Sequence, residues 1–408
     1  MKNQGYIVIA ILFLVAFVTT FGGCGGGGDS GSSAPAPAPV AKAAFVTDTG
    51  ALKVVPLTGG TPTTLATGVE ECLITPDNTK VVYIDSTTNL RVIPIDGGTP
   101  TTLDIGVVEF DIALNSATVV YLNSSTNLRS IAISGGTPVV LDTSADDFKI
   151  SADSTKVVYS VSGILGVRPI NGGSATVLVA GGVVDYEIAP NSAKVVYIDN
   201  FETITGDLNA IAIIGGSPTV LDLSVFSFEI TPDSTKVVYN YYYDGFDTLD
   251  MEVISMDGIT WDSLATDVSG EFSIAPNSTK VTYIDNYDPI TGQGNLNIIP
   301  IAGGSATQLG TNVLSCEISP DSNKVVYFRY TAGNQDLYSI PITGGTSSIL
   351  ASDVFYEDAI TSDSTKVLYT DNASFVAGTW IYDIKIIPIG GGTPIALGTS
   401  CIDADITK

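Results

Sequence analysis

The chain has 408 residues, 43 acidic and 17 basic, for a formal net charge of −26, and it contains no histidine. That balance excludes nucleic acid and charge-driven adhesion to anionic lipid. The missing histidine removes Ser-His-Asp and Cys-His catalysis, imidazole metal sites and the commonest general base together.

In chain order, Lys2 opens a short positive region, and residues 6–18 form an apolar run of 13, too short to span a bilayer comfortably. Gly22 and Gly23 precede Cys24. This arrangement resembles a bacterial lipoprotein signal, which implies that Cys24 is lipidated and becomes the mature N-terminus. Phe21 stands where the usual pattern has leucine, and Gly25 follows the cysteine, the enteric signature of outer-membrane sorting. Residues 1–24 are therefore read as the signal. Residues 25–41, GGGGDSGSSAPAPAPVA, are a flexible and then semi-rigid tether. The expected address is the bacterial cell envelope, at the outer membrane on either its periplasmic or its surface side, with the membrane reached through the lipid anchor only.

From residue 42 to 408 the chain repeats one unit. A register isoleucine stands at 74, 112, 150, 188, 230, 274, 318, 360 and 406, spaced by 38, 38, 38, 42, 44, 44, 42 and 46. A tyrosine follows nine residues after each of the first eight, from Tyr83 to Tyr369, and a closing leucine recurs from Leu65 to Leu397. Within a unit such as FEITPDSTKVVYN (228–240), Pro232-Asp233-Ser234 breaks two strand-forming runs. A third strand (NLRVIPI, 89–95), a Gly97-Gly98 turn and a short fourth strand complete the unit. Several short strands at a period near 40 are the mark of propeller blades. The first segment, 42–65, aligns to strands two to four of a unit, and 401–408 aligns to strand one only. The expected fold is thus all-β: a single closed β-propeller of four-stranded blades, nine by count, the last blade closed by the N- and C-terminal strands. Eight blades, or an open arc, is the fallback.

Units such as ISPDSNKVVYFRYTAGNQDLYSIPITGGTSSIL (318–350) resemble the WD-like propeller repeat of the TolB type. Serine replaces the family's usual glycine after Pro-Asp, as at Ser234 and Ser322, and the family's Asp-Ile-Tyr is reduced to Asp336-Leu337-Tyr338. The resemblance implies the fold and little about function, since no hydrolase or extra α/β domain has room here.

The connections between second and third strands are short in the first three full units (85–89, 123–127, 160–164) and long afterwards (199–207, 240–250, 285–295, 329–336, 371–383). Lengthened loops on a rigid scaffold are where binding resides. Tyr241, Tyr242, Tyr243, Phe246, Tyr287, Tyr330 and Trp380 are the expected exposed anchors. Calcium, which takes oxygen ligands, is the one candidate ion, through Asp199, Asp244, Asp247, Asp285 and Asp371; the competing reading makes the recurrent Asp-Asn pairs turn formers, and no firm cofactor is expected. Cys72 and Cys316 replace phenylalanines two residues before the register isoleucine and should pack as small apolar groups. Cys401 differs from Cys72 by three register positions, roughly 10 Å along a strand, which argues against a disulfide. The functional expectation is a non-catalytic binding platform for a protein, peptide or polysaccharide in the envelope. The alternatives are a carbohydrate-active enzyme using Asp/Glu, or a purely structural envelope protein.

Overall fold

The structure, a computed structural model, describes residues 41–202, 204–242, 249–331, 334–376 and 378–406. Every regular element among them is a β-strand, and every pairing is antiparallel. The unit is clearest in the strands Val69–Ile74, Lys80–Asp85, Asn89–Pro94 and Thr101–Ile105, hydrogen-bonded in that order. Cys72 faces Tyr83, and Tyr83 faces Arg91. Pro94 ends its strand, where its missing donor costs nothing.

Later units are joined by single long strands. Thr219–Ile230, Trp261–Ile274, Thr307–Ile318 and Ile395–Ile406 each begin as the outer strand of one unit and end as the inner strand of the next. Ile395–Ile406 pairs first with Thr379–Pro388 and then with Lys42–Thr47, so that Ile406 faces Ala43 and Ala404 faces Phe45. Lys42–Thr47 pairs onward with Ala51–Pro56. One four-stranded unit is therefore built from both ends of the chain.

The core lies between units. Val82, Leu90 and Leu103 of one unit pack with Phe110, Ile112 and Tyr121 of the next. Strand residues fully buried on both faces explain the unbroken Lys-Val-Val-Tyr runs, since alternation is needed only where one face is wet. Burying each such Val or Ile stabilises by about 1.5–3 kcal/mol. The register tyrosines are core residues with a polar tip: Tyr121 is fully buried, and its hydroxyl donates to Asp104 at 2.5 Å. The Tyr239 hydroxyl is within hydrogen-bonding distance of both Asp222 and Glu252, which share its one proton.

The Pro-Asp-Ser turn is held by its own side chains. Asp233 accepts from the Thr231 hydroxyl and from the N–H and hydroxyl of Thr235, and Lys236 N–H donates back to Thr231 Oγ1. Burial acts to raise the Asp233 carboxyl, but these bonds outweigh it and leave it below its ordinary value. The serine has a further part. Ser116, Ser154, Ser192, Ser234, Ser278, Ser322 and Ser364 all sit at φ between 55° and 61°, a region that favours glycine. Each hydroxyl accepts the backbone N–H of the Asp or Asn in the preceding unit's turn, at 2.9–3.0 Å. The serine hydroxyl thus ties one turn to the next.

A second tie uses the lysine that opens the second strand. Lys194, Lys280, Lys324 and Lys366 donate to the carbonyls of Met256, Ile342, Ile389 and Leu57 in the following unit. Four of the chain's 17 basic residues are thus committed between units. Gly-Gly turns also seat between units: a Cβ at Gly59 (φ 83°) would lie 2.7 Å from the Ile395 methyl.

Candidate functional site

In four of the long connections the flanking strands continue the ladder outward, with Glu202 facing Thr205, Asp288 facing Gln293, Thr331 facing Asn334 and Val376 facing Thr379. In three of them an asparagine breaks the register at positive φ: Asn200 (48°), Asn286 (46°) and Asn372 (51°). Asparagine tolerates that region better than other side chains, so each Asp-Asn pair marks a bulge that bends a projecting ribbon.

The aspartates of those pairs are occupied by the ribbon itself. Asp199 accepts from Asn209, Asp285 from Asn286 and Asn295, and Asp371 is ion-paired with Lys385. Asp244 and Asp247 lie outside the described residues, as do Tyr243, Phe246 and Cys24. Among the described residues no three Asp, Glu or Cys side chains converge as a metal site.

The ribbons carry exposed apolar side chains. Phe201, Ile204, Tyr287, Ile290, Tyr330, Phe375 and Trp380 are all at least 42% exposed, whereas the short connections 85–89 and 123–127 expose no large apolar residue. Trp380 gathers the ring of Phe355 at 4.7 Å and that of Phe375 at 5.2 Å. Tyr241 and Tyr242 differ from the other anchors. Both are half-buried, Tyr241 against the cluster around Phe228 and Tyr242 edge-on to Phe226. They brace the base of their ribbon.

A second feature has no counterpart in the residues singled out from the sequence. On the inner strands, the residue one or three places before the register isoleucine is repeatedly acidic: Glu71, Glu109, Asp111, Asp147, Asp185, Glu187, Glu229, Glu271, Glu317, Asp403 and Asp405. The signal was present in the register but diluted by the acidity of the whole chain. The inner strand is an edge, and its outward N–H groups need acceptors. Asp405 accepts the N–H of Ile74 at 2.8 Å, Asp403 that of Cys72 at 2.9 Å, and Glu229 that of Ile274. The row crowds like charges. Burial first, then Asp403 and Glu109, push the Glu71 carboxyl up to about 7 although water reaches it. Burial likewise lifts Glu229 to about 8; the Ile274 N–H pulls it down, while Glu187 and Glu271 add to the rise. Lys149, ion-paired with Glu187, is the cation of this row.

Cys72 and Cys401 are buried and Cys316 half-buried. Cys72 and Cys316 pack in clusters between units, in the place of phenylalanine.

No family model matches the sequence, and no curated protein matches it. Solved structures do. A eukaryotic initiation factor superposes with a TM-score of 0.71 at 12% identity, over 90% of this chain and 99% of that one. Dipeptidyl peptidase 4 of Porphyromonas gingivalis superposes with a TM-score of 0.61 at 9% identity, over 84% of this chain and 62% of that one. The chain has a propeller fold. A putative TolB from Agrobacterium tumefaciens is also similar, at a TM-score of 0.33 and 17% identity over 56% of this chain and 90% of that one. At these identities the likeness is one of fold alone.

Proposed function

We propose that this chain is a lipid-anchored, nine-bladed propeller of the TolB-like kind that serves in a bacterial envelope as a non-catalytic binding platform. The partner, a protein, peptide or polysaccharide, is taken by the ribbon face. The observation that carries this reading is that five of the seven exposed large aromatic side chains among the described residues, Phe201, Tyr287, Tyr330, Phe375 and Trp380, lie on the lengthened ribbons, with Phe226 and Trp261 outside them. Aromatic rings exposed on a rigid support give contact area at small entropic cost, as binding surfaces require.

Closure of the ring is supported by the packing. Nine apolar clusters are found among the described residues, and each joins two neighbouring units. The unit made from the chain ends is covered on both faces. Val55 and Leu57 pack with Leu368 and Ile386, and Val46 and Leu52 with Cys72 and Ile74.

The binding reading is tested by crosslinking in cells. One strain carries the native chain, and the other has residues 199–207, 285–295, 329–336 and 371–383 replaced by the short connection DSTTN. A captured partner lost on shortening is the expected result. A partner retained by the shortened protein would contradict the assignment of the face. Anchoring is tested by Cys24→Ser, which should move the protein from the membrane to the soluble fraction.

A further inference from the structure

One turn between third and fourth strands departs from the rest. The others read Gly-Gly, from Gly59-Gly60 to Gly391-Gly392, with proline, alanine or serine two residues on. The turn after the strand Leu249–Ser255 reads Asp257-Gly258-Ile259, and Trp261 stands where other units carry Pro62, Pro100 or Ala306. Its own polar groups seal it. The Ser255 hydroxyl donates to Asp257 and accepts the N–H of Thr260, Asp257 accepts the N–H of Ile259, and the Ser255 N–H donates to the Thr260 carbonyl. Proline in the place of Ser255, as at Pro94 and Pro300, lacks that last donor. The turn holds Ile259 76% and Trp261 66% exposed.

Trp261 walls a cleft of ≈ 200 Å³ between this unit and the next, with Thr260, Asp262 and Lys236 on its own side and Ile301 and Ala302 on the other. The Asp262 carboxylate reaches the following turn, where a Cβ on Gly303 would lie 2.7 Å from Asp262 Oδ2. Lys236 stands in the register of Lys194, Lys280, Lys324 and Lys366, which bond a carbonyl of the following unit. Its counterpart carbonyl, that of Ile301, lines the cleft, and among the described residues Lys236 makes no such bond. Lys236 faces Ser255 at one end of the ladder, whereas Tyr242 faces Leu249 at the ribbon end. The cleft therefore opens on the face opposite the ribbons.

We propose that this cleft is a second binding site, independent of the ribbon face, for one neutral sugar ring of a glycan, with Trp261 as stacking platform and Asp262 and Lys236 as hydrogen-bonding partners. Size argues for a small ring, since pockets for drug-sized ligands run to about 300–1,000 Å³. Charge argues against simple ions: a cation meets Lys236, and an anion meets Asp262 on a chain of net charge −26. A sugar ring has an apolar C–H face for the indole and hydroxyls that both donate and accept. Asp262 supplies the acceptor and Lys236 the donor. The sealed turn keeps the indole in place before the ligand arrives, which lowers the ordering cost of binding.

The chain's two tryptophans lie on opposite faces, Trp380 on a ribbon and Trp261 at the cleft. Trp380→Phe in the whole protein therefore leaves the cleft indole as the only tryptophan reporter. Its emission should shift and saturate with at least one of three neutral probes, maltohexaose, cellohexaose or the N-acetylglucosamine hexamer. It should not respond to L-leucine, a zwitterion that matches both charges without a ring. In calorimetry with the probe that binds, Trp261→Ala should weaken affinity about ten-fold and Asp262→Asn should weaken it less, with the thermal midpoint unchanged because both side chains are exposed. The protein with shortened ribbons should bind the same probe as tightly as the native chain, which separates this site from the ribbon face. Emission that no sugar shifts, or that L-leucine alone shifts, would overturn the proposal. So would affinity kept by Trp261→Ala and lost on shortening the ribbons.

Discussion

Serine in the left-handed region costs roughly 1 kcal/mol relative to glycine, and the hydrogen bond to the preceding unit offsets it by a similar amount. Ser234→Gly should therefore change stability little, because it loses the bond from Asn191 and the backbone strain together. Ser234→Ala keeps the strain and leaves the Asn191 N–H without its acceptor, so a loss of about 1–3 kcal/mol is expected in urea unfolding. An alanine variant as stable as the glycine variant would show that the tie contributes nothing. The inner-strand acids make a second prediction. A carboxyl raised in the folded chain makes that chain bind more protons than the unfolded one. The stability it contributes is full below the ordinary carboxyl value and is lost as pH rises through the folded value. For Glu229 and Glu71 the loss runs from about pH 4.5 to about 8. The thermal midpoint should fall across that window, and Glu229→Gln should make the fall shallower. A midpoint that climbs with pH would contradict the charge assignment.

The elements were largely legible in the residues, because burial on both faces leaves a strict mark. Every register tyrosine from Tyr83 to Tyr369 is buried, as are the register isoleucines at 74, 112, 274, 318, 360 and 406. The long shared strands were not legible. A break between two short strands and a bulge within one long strand look alike in composition, and hydrogen bonding alone separates them. The site was read less completely. Length and aromatic content pointed to the ribbons, but exposure is a tertiary property: Tyr287, Tyr330 and Trp380 are open, whereas Tyr241 and Tyr242 brace their ribbon. The inner-strand acids needed the register to be extended by one and three residues, a step that a uniformly acidic chain does not invite. At this scale the account predicts that replacing residues 371–383 by DSTTN leaves the thermal midpoint within a few degrees. The tip pairs Ser374–Ile381 and Val376–Thr379 lie beyond the ladder shared by all units, and exposed segments of this kind tolerate such change. A collapse of stability would mean that Phe355, Phe375 and Trp380 form core rather than a binding surface.

For the whole molecule, the closure proposed above would turn a row of marginal four-stranded sheets into one rigid support and leave no inner unit uncovered. The two chain ends share a single unit, so they depend on each other: deleting residues 401–408 removes an inner strand and uncovers Phe45 and Ala43. That truncation should cost several kcal/mol and lower cooperativity in unfolding, whereas a tag after residue 408 should be tolerated. The ribbon face has meaning only if the ring holds its hairpins in one arc. The most direct measurement is therefore a crystal structure of residues 42–408. Nine blades, with residues 403–406 paired to 43–46, is the result this account predicts. Eight blades with a displaced unit, or an open arc with unpaired ends, would contradict it.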